Sequence, residues 1–290
     1  MKALVSGGNR GLGIEICRII LANSPGSHVF MGCRDLESGR EIAKKLSNAA
    51  KNGGRAEAIR LDVSSEQSVE ECAATLSTVV DSLDLVVNNA GILHEEFSPE
   101  TALATMQTNF EGAVRVTEAC LPLLRKTKGA QVLFTSSGMG ARILGIMTEE
   151  HRMAFTSPTL ELPTLRRLLN ELMEALVRDS THPYHASVPT VAYSLSKLGV
   201  NAYAQILARQ HMASALRSNA CSPGFTNTGM CANYTGSRKP KDVALGASVF
   251  EKVLFGELGE SKPTGLFFKE SSKADTPLDE ARSVVDAWVQ

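Results

Sequence analysis

The feature that most constrains this chain is a glycine-rich turn near its start, placed between a strand pattern and a helix pattern. Residues 6–13 read Ser-Gly-Gly-Asn-Arg-Gly-Leu-Gly. Gly7 suits a tight turn, and Gly11 and Gly13 let the backbone approach a pyrophosphate at the positive end of the following helix. Such a turn is a weak signal by itself. Between the first strand and the first helix of a βαβ chain, however, it predicts a dinucleotide-binding unit.

Strand and helix patterns alternate along most of the chain. The predicted strands are Ala3–Ser6, His28–Gly32, Ala56–Asp62, Leu83–Asn88, Gln131–Ser136, Arg217–Ser222 and Gly265–Lys269. The predicted helices include Leu12–Ala22, Leu36–Lys51, Ser65–Asp81, Pro99–Arg125 and Tyr193–Ala215. This alternation predicts an α/β fold with a doubly wound parallel sheet of Rossmann type. Without a repeat or a linker, residues 1–290 are expected to form a single domain.

The alternation stops in the long interval between Ser137 and Tyr193, which contains no strand pattern. Apolar residues at helical spacing within it are Leu165, Leu168, Leu169, Leu172, Met173, Leu176 and Val177. Together with Pro163 and Thr164 as a start signal, they predict an amphipathic helix. We therefore expect a helical insertion over about residues 139–188, with a loop on each side of this helix, around Met139–Thr148 and His182–Val188.

Composition excludes several classes of partner. Lys and Arg (30) nearly balance Asp and Glu (31), and no basic stripe carries interleaved aromatic residues, so no nucleic acid is expected. The six cysteines show no CxxC pair and no metal-ligand spacing. They predict free thiols in a reducing compartment, the cytoplasm, and no metal site. No apolar run approaches the roughly 20 residues that a membrane span needs.

The end of the second predicted strand indicates which dinucleotide is bound. An NAD enzyme needs a carboxylate there to bind the ribose 2′-hydroxyl, but the chain has Cys33 followed by Arg34. Arg34 and Arg10 suit a 2′-phosphate, because arginine binds phosphate with paired, charge-assisted hydrogen bonds. NADPH or NADP is therefore the expected cofactor. If the strand ended two residues later, Asp35 would be the ribose ligand instead.

Ser137, Tyr193 and Lys197 form a pattern suited to carbonyl reduction. Tyr193 and Lys197 are four residues apart and share one helix face. A tyrosine has a pKa of about 10, and a fixed ammonium nearby is expected to lower it toward the working pH, where proton transfer is efficient. A serine hydroxyl can hold the substrate oxygen and share its developing charge.

In combination, these motifs resemble the short-chain dehydrogenase/reductase family over almost the whole chain. The motifs occur in the family's order: the glycine turn, Asp62 after the third strand, Asn88-Asn89-Ala90-Gly91, Asn109, Ser137, Tyr193 with Lys197, and Pro223-Gly224. Ser137 matches the catalytic serine better than Ser136. Ser6 stands where the family usually has threonine, which also carries a hydroxyl.

The resemblance implies residue roles. Asp62 binds adenine, Asn109 orients a proton-relay water to Lys197, and residues 225–228 contact the carboxamide and the pyrophosphate. The implied catalytic residues are Asn109, Ser137, Tyr193 and Lys197. The implied cofactor site comprises Gly7, Asn9, Arg10, Gly11, Leu12, Gly13, Arg34, Asp62, Val63, Asn89, Ala90, Gly91, Tyr193, Lys197, Pro223, Gly224, Thr226 and Thr228.

The long interval before Tyr193 resembles the carbonyl reductase branch of the family. That branch implies a small ketone, aldehyde or quinone as substrate. Family members pair through the helices that match those carrying Asn109 and Tyr193. A helix inserted over these elements would present its charged face outward, so a monomer is expected, with the flanking loops lining the substrate pocket.

Other interpretations stay open at this point. An NAD(P)-dependent alcohol or hydroxysteroid dehydrogenase would use the same residues in the oxidising direction. A non-catalytic dinucleotide-binding protein should have lost Ser137, Tyr193 or Lys197, and all three are present. Sugar-nucleotide epimerases share the YxxxK pattern but usually have a GxxGxxG turn. Cys221 and Cys231 flank the Pro-Gly turn as either reactive thiols or buried structural residues.

Overall fold

The computed structural model describes residues 1–188, 190–232, 234–256 and 263–269. These residues form one seven-stranded parallel sheet in the order β3-β2-β1-β4-β5-β6-β7. The strands are β1 (Lys2–Ser6), β2 (His28–Cys33), β3 (Arg55–Arg60), β4 (Leu85–Asn88), β5 (Gln131–Thr135), β6 (Arg217–Ser222) and β7 (Phe267–Lys269). The sheet confirms the predicted doubly wound α/β class. Its strand order reverses between β1 and β4, which is where such sheets bind ligands.

Helices cover both faces of the sheet. They are α1 (Gly11–Asn23), α2 (Leu36–Ala49), α3 (Glu66–Val79), α4 (Pro99–Met106), α5 (Gly112–Leu124), α6 (Gly138–Ile146), α7 (Glu149–Thr156), α8 (Leu162–Arg178), α9 (Pro183–Ser187), α10 (Val191–Gln210) and α11 (Val243–Phe255). Because successive strand residues point to opposite faces, Leu4 and Val86 pack in one core layer, and Ala3 and Val87 in the other. The first layer includes α5, α8 and α10, and the second includes α1 and α11.

Several predicted boundaries were wrong by one or two residues, and some by more, because hydrogen bonding rather than composition ends an element. The strands predicted as Ala56–Asp62 and Gln131–Ser136 end at Arg60 and Thr135, and those predicted from Leu83 and Gly265 begin at Leu85 and Phe267. The second strand reaches Cys33, α2 and α3 end at Ala49 and Val79, and the helix predicted as Tyr193–Ala215 runs from Val191 to Gln210. A short 3₁₀ turn, Met212–Ser214, follows it.

The predicted helix Pro99–Arg125 is interrupted. A π-helical turn, Gln107–Glu111, separates α4 from α5 and contains Asn109. Such widened turns inside helices often occur at functional sites, because they change the direction of a side chain within an otherwise regular helix. Periodicity alone does not reveal this turn, since one added residue shifts the apolar pattern only slightly.

The insertion forms four helices, α6 to α9, and α8 is the amphipathic helix that the sequence predicts. Leu165, Leu169, Leu172, Met173 and Leu176 are buried, whereas Val177 at the end of the stripe is exposed. The two flanking segments predicted as loops are instead largely helical: α6 covers most of Met139–Thr148, and α9 covers most of His182–Val188. Ser137 and His182 cap these helices, which the loop prediction missed.

Helix α8 packs directly on the elements that carry the predicted catalytic residues. The backbone of Gly199 in α10 lies close to Leu169 of α8 and to Phe110 of the π-helical turn. Arg166 pairs with Glu111 through three N–H···O contacts of 2.8 to 3.1 Å. The outward-facing Arg167 and Glu171 pair with each other. The helix therefore covers α10 with its apolar side and presents charges to solvent.

Two structural features are absent from the described residues. Within them, no helix has the length and apolar character required to cross a membrane. Likewise, no group of three or more His, Cys, Asp or Glu side chains is arranged to hold a metal ion. All six cysteines lie in the described part and are free thiols. The prediction of a single domain over residues 1–290 extends to residues 189, 233, 257–262 and 270–290, which lie outside the described part.

Candidate active site

The glycine turn at the end of β1 has the backbone shape that a dinucleotide site needs. Gly7 and Gly11 have φ values of +65° and +48°, in the left-handed region that favours glycine. A Cβ at Gly13 would lie 2.1 Å from the carbonyl oxygen of Gly7, so only glycine fits there. No side chain caps the N-terminus of α1. Its first N–H groups are therefore suited to a phosphate, and the residues fit the pyrophosphate of NADPH.

Ser6 and Asn89 hold this turn against the end of β4. The Ser6 hydroxyl accepts hydrogen bonds from the backbone N–H groups of Asn89 and Ala90, both at 3.0 Å. The Asn89 amide donates to the carbonyl oxygens of Ser6, at 3.0 Å, and Gly7, at 3.3 Å. A serine therefore performs this bracing although the family usually has threonine. Asn89, predicted as a cofactor residue, therefore stabilises the glycine turn through the backbone carbonyl groups of Ser6 and Gly7.

The charges at the end of β2 fit a 2′-phosphate. Cys33 is buried, and a Cβ at Gly39 would lie 2.4 Å from its Sγ, so Cys33 is held under α2. Arg34 and Arg10 are exposed. Asp35 caps α2 by accepting a hydrogen bond of 3.1 Å from the Ser38 N–H. This contact, together with the end of β2 at Cys33, argues against Asp35 as a ribose ligand.

Asp62 lies just beyond β3 as an ionised acceptor. Burial alone would raise its pKa, but hydrogen bonds from the N–H and hydroxyl of Ser64, assisted by the charges of Arg34 and Arg60, lower it below its ordinary value. Both bonds go to Oδ1. The neighbouring Val63 is buried and packs so closely on Gly112 of α5 that a Cβ there would lie 2.8 Å from Val63 Cγ2. An ionised carboxylate is therefore fixed at the predicted adenine position.

The structure brings Ser137, Tyr193 and Lys197 together at the carboxyl end of β5. The Ser137 side chain lies near the Tyr193 hydroxyl and lowers the pKa of this tyrosine. The Lys197 ammonium donates to the carbonyl oxygen of Thr135 at 2.7 Å and lies 5.5 Å from the centre of the Tyr193 ring. Ser136 is buried and donates to Asn201 at 2.6 Å, away from Tyr193. This geometry agrees with the choice of Ser137 over Ser136.

Burial dominates the acid–base properties of this pair. It raises the pKa of Tyr193 to about 12, against the opposing effect of the Ser137 hydrogen bond. It also lowers the pKa of Lys197 to about 8. The net lowering of the tyrosine pKa that the sequence predicts was therefore wrong, because desolvation of the phenolate outweighs the other influences on Tyr193. At neutral pH the site holds a protonated tyrosine beside a mostly protonated lysine.

Asn109 fastens the segment after β4 to α10. Its amide donates to the carbonyl oxygen of Ile92 at 2.9 Å and to the Ser196 hydroxyl at 3.1 Å, and its Oδ1 accepts from the Ile92 N–H at 2.8 Å. Ser196 in turn donates to the Tyr193 carbonyl oxygen at 2.7 Å. The sequence argument missed Ile92 and Ser196, which carry no motif signal. Gly91 lies beside this group: a Cβ there would be 3.3 Å from Asn109 Oδ1 and 3.7 Å from Lys197 Nζ.

The segment after β6 returns over the glycine turn. Pro223 is followed by Gly224, which has a φ of +71°, and Thr226 pairs with Lys241 in a parallel β-bridge that closes the base of the segment. A Cβ at Gly11 would lie 3.3 Å from Thr228 Cγ2, so Thr228 faces the predicted pyrophosphate position. Asn9 and Leu12 complete the turn, Asn9 partly exposed and Leu12 buried.

A cavity of about 630 Å³ adjoins Tyr193. Residues of the segment after β4, of α6, of α9 and of the segment after β6 line it, among them Leu93, Phe97, Met139, His185, Val188, Phe225, Met230, Cys231 and Tyr234. Both flanking segments of the insertion therefore reach the cavity, as helices. Cys231 lines it, whereas Cys221 is fully buried with its pKa raised well above the usual range, which favours a structural role for Cys221.

Comparison with known proteins places the chain among related sequences and structures. The family model described as short chain dehydrogenase matches residues 1–148. Carbonyl reductase [NADPH] 1 of Rattus norvegicus is 30% identical over 92% of this chain and 95% of its own length, and (+)-neomenthol dehydrogenase of Arabidopsis thaliana is 30% identical over 79% and 83%. The solved structure of salutaridine reductase from Papaver somniferum aligns with a TM-score of 0.75 at 25% identity, covering 92% of this chain and 98% of that one.

Lys197→Met tests the burial of the ammonium. Because the native pKa of about 8 lies below the ordinary 10.5, the unfolded chain binds more protons between these values. This group therefore adds up to about 1.4 kcal/mol per pH unit to the free energy of unfolding as pH rises through that window. The wild type and Lys197→Met share all other titrating groups. The free energy of unfolding of the wild type minus that of Lys197→Met, measured by urea denaturation, should therefore rise from pH 8 to pH 10. A difference independent of pH would contradict the burial.

Proposed function

The chain belongs to the short-chain dehydrogenase family, and on that premise we propose that it is an NADPH-dependent carbonyl reductase acting on a small ketone, aldehyde or quinone. The observation that carries the proposal is the placement of Ser137 near the Tyr193 hydroxyl, with the Lys197 ammonium 5.5 Å from the centre of the tyrosine ring. Tyr193 also lines a largely apolar cavity. The relatives named carbonyl reductase [NADPH] support both the reaction and the cofactor.

Each residue of the site has a distinct task in this reaction. NADPH, when bound, supplies the hydride. Ser137 donates a hydrogen bond to the substrate oxygen and stabilises the charge that develops there. Tyr193, which is protonated at neutral pH, gives its hydroxyl proton to that oxygen. Lys197 holds a positive charge against the tyrosine ring and favours the phenolate that remains.

The second group of residues binds the cofactor. The glycine turn and the uncapped N-terminus of α1 accept the pyrophosphate, while Arg10 and Arg34 bind the 2′-phosphate. Asp62 and Val63 border the adenine, and Thr226 and Thr228 border the nicotinamide side. Cells keep NADP mostly reduced, which favours reduction over the alcohol or hydroxysteroid dehydrogenase direction.

The cavity supports a neutral, apolar substrate. Aromatic and aliphatic side chains such as Phe97, Phe225 and Met230 form much of the lining. Among the described lining residues there is no lysine or arginine, whereas Glu95 and Glu96 contribute carboxylates. Beside these carboxylates, a neutral carbonyl compound is expected to bind better than an anionic one. The cytoplasmic location expected from the thiols stays a prediction.

The insertion supports a monomeric state. Helix α8 buries Leu165 and Leu169 against the elements through which family members pair, and Arg166 is tied to Glu111. Its outer face is exposed and charged. A second copy would have to displace this helix, expose its leucines and break the ion pair in order to reach α10.

Tyr193→Phe should lower kcat by about 100-fold or more while NADPH affinity stays close to that of the wild type. The change removes the proton donor but keeps the ring, and a general acid contributes at least about that factor. Stopped-flow absorbance of NADPH consumption and a fluorescence titration of NADPH measure the two quantities. Tyr234→Phe, which makes the same change elsewhere in the cavity, is the control. Near-normal turnover of Tyr193→Phe would disprove its role.

Arg10→Ala combined with Arg34→Ala should weaken NADPH binding by about one to two decades for each lost charge-assisted bond and leave NADH binding nearly unchanged. Titration of both cofactors against wild type and variant provides the measurement. Arg167→Ala combined with Arg178→Ala, which removes two exposed charges on α8, controls for net charge. A wild-type protein that prefers NADH would refute the assignment of these two arginines.

Light scattering on dilute protein should give a mass near the 31.0 kDa of one chain. The physical reason is that α8 covers the face of α10 on which a second copy would pack. A mass near twice that value would mean that the pairing face is accessible despite the insertion.

A further inference from the structure

The insertion and the core fold meet in one aromatic contact at the cavity. Phe97, which precedes α4, and His185, in α9, have ring centres 4.6 Å apart and planes at 79°, an edge-to-face arrangement. Both side chains line the cavity that Tyr193 borders. Two segments far apart in sequence are therefore in contact in the lining of the cavity that Tyr193 also borders.

His185 is held in one orientation by α8. Its Nε2 lies 3.0 Å from the carbonyl oxygen of Leu176, and because a carbonyl can only accept, Nε2 donates the hydrogen bond. Leu176 belongs to the last turn of α8, whose carbonyl groups have no partner within the helix. The contact caps α8 and fixes the imidazole at the same time.

The short helix α9 has a second anchor. Tyr184, adjacent to His185, is buried, and its hydroxyl accepts a hydrogen bond of 3.2 Å from the Thr148 N–H at the start of α7. The same hydroxyl is 3.5 Å from His151 Nδ1. Helix α9 is therefore attached to α7 and α8 and does not depend on the cavity contents for its position.

Phe97 is fixed from the other side. Ser98 and Thr101 form a capping box at the start of α4, and the Thr101 hydroxyl also donates to the Glu96 carbonyl oxygen at 2.9 Å. Phe97 is the residue immediately before this cap and packs against the hydrophobic core. A side chain at this position sets the direction in which the chain enters the helix.

We propose that Phe97 and His185 form a specificity wall that limits the size of the carbonyl substrate. The proposal rests on the proposed function, since it concerns the pocket of that reaction. Each ring is held by its own scaffold and the two are in edge contact, so a substrate extending from Tyr193 meets a boundary that does not move aside. Truncating either ring enlarges the cavity without touching the glycine turn or the Ser137–Tyr193 pair.

The test compares aryl ketones that share one carbonyl environment and grow from a single ring to three fused rings. In Phe97→Ala and in His185→Ala, the ratio of kcat/KM for the largest ketone to that for the smallest should rise about tenfold, the discrimination that a small misfit produces in an apolar pocket. His185→Phe keeps a ring but loses the bond to Leu176, so it should raise the ratio by less than His185→Ala does and should lower Tm. Met153→Ala, an exposed residue of the insertion outside the cavity lining, should change neither quantity.

Three results would overturn the specificity wall. They are ratios within twofold of wild type in both alanine variants, a His185→Phe ratio equal to that of His185→Ala, or the same rise in Met153→Ala. Phe97→Leu and His185→Gln replace any alanine variant that fails to bind NADPH. Titration calorimetry measures the affinities of the same ketones. The ratio of the affinity for the largest ketone to that for the smallest reports the size limit without turnover. A wild-type protein that reduces none of them would reject the proposed function, while calorimetry would still test the wall.

Discussion

The close packing of Gly13 against the carbonyl oxygen of Gly7 is the constraint on which the rest of the site depends. It brings the start of α1 directly over the end of β1, so the helix N-terminus opens toward the switch point of the sheet. Ser6 and Asn89 then lock the turn to β4. Since β4 is hydrogen-bonded to β5, the same lock sets the distance from the glycine turn to Ser137 and Lys197. A side chain at residue 13 would therefore disturb both halves of the site.

Burial controls the acid–base properties of the proposed catalytic pair, Tyr193 and Lys197. Lys197 lies within a cation–π distance of Tyr193, yet the tyrosine pKa is raised and the lysine pKa lowered. Spacing in the sequence reveals that two groups can meet on a helix face, but it does not reveal how much water they lose. The sign of the tyrosine shift was therefore beyond the sequence argument, whereas the meeting of the two groups was within it.

The parts of the fold that the sequence predicted are those that local patterns control. Buried parallel strands are short apolar runs, and the glycine turn needs particular backbone angles. Both can therefore be predicted from the sequence. The π-helical turn at Asn109, the helical state of α6 and α9, and the partners Ile92 and Ser196 depend on packing between distant segments. For the same reason the contact of Phe97 with His185 has no sequence signal, because neither residue belongs to a motif.

The insertion links two properties that could otherwise vary independently. Helix α8 covers α10 with its apolar face, and the carbonyl group at its C-terminal end orients His185 in the cavity lining. A change that loosens α8 from its neighbours, for example by removing the ion pair of Arg166 with Glu111 of the π-helical turn, is therefore expected to act at both places: it would expose leucines of α8 and disturb the carbonyl group that holds His185. The proposed size limit and the proposed monomeric state thus depend on the same helix, since α8 contributes both the apolar stripe over α10 and the Leu176 carbonyl group that holds His185.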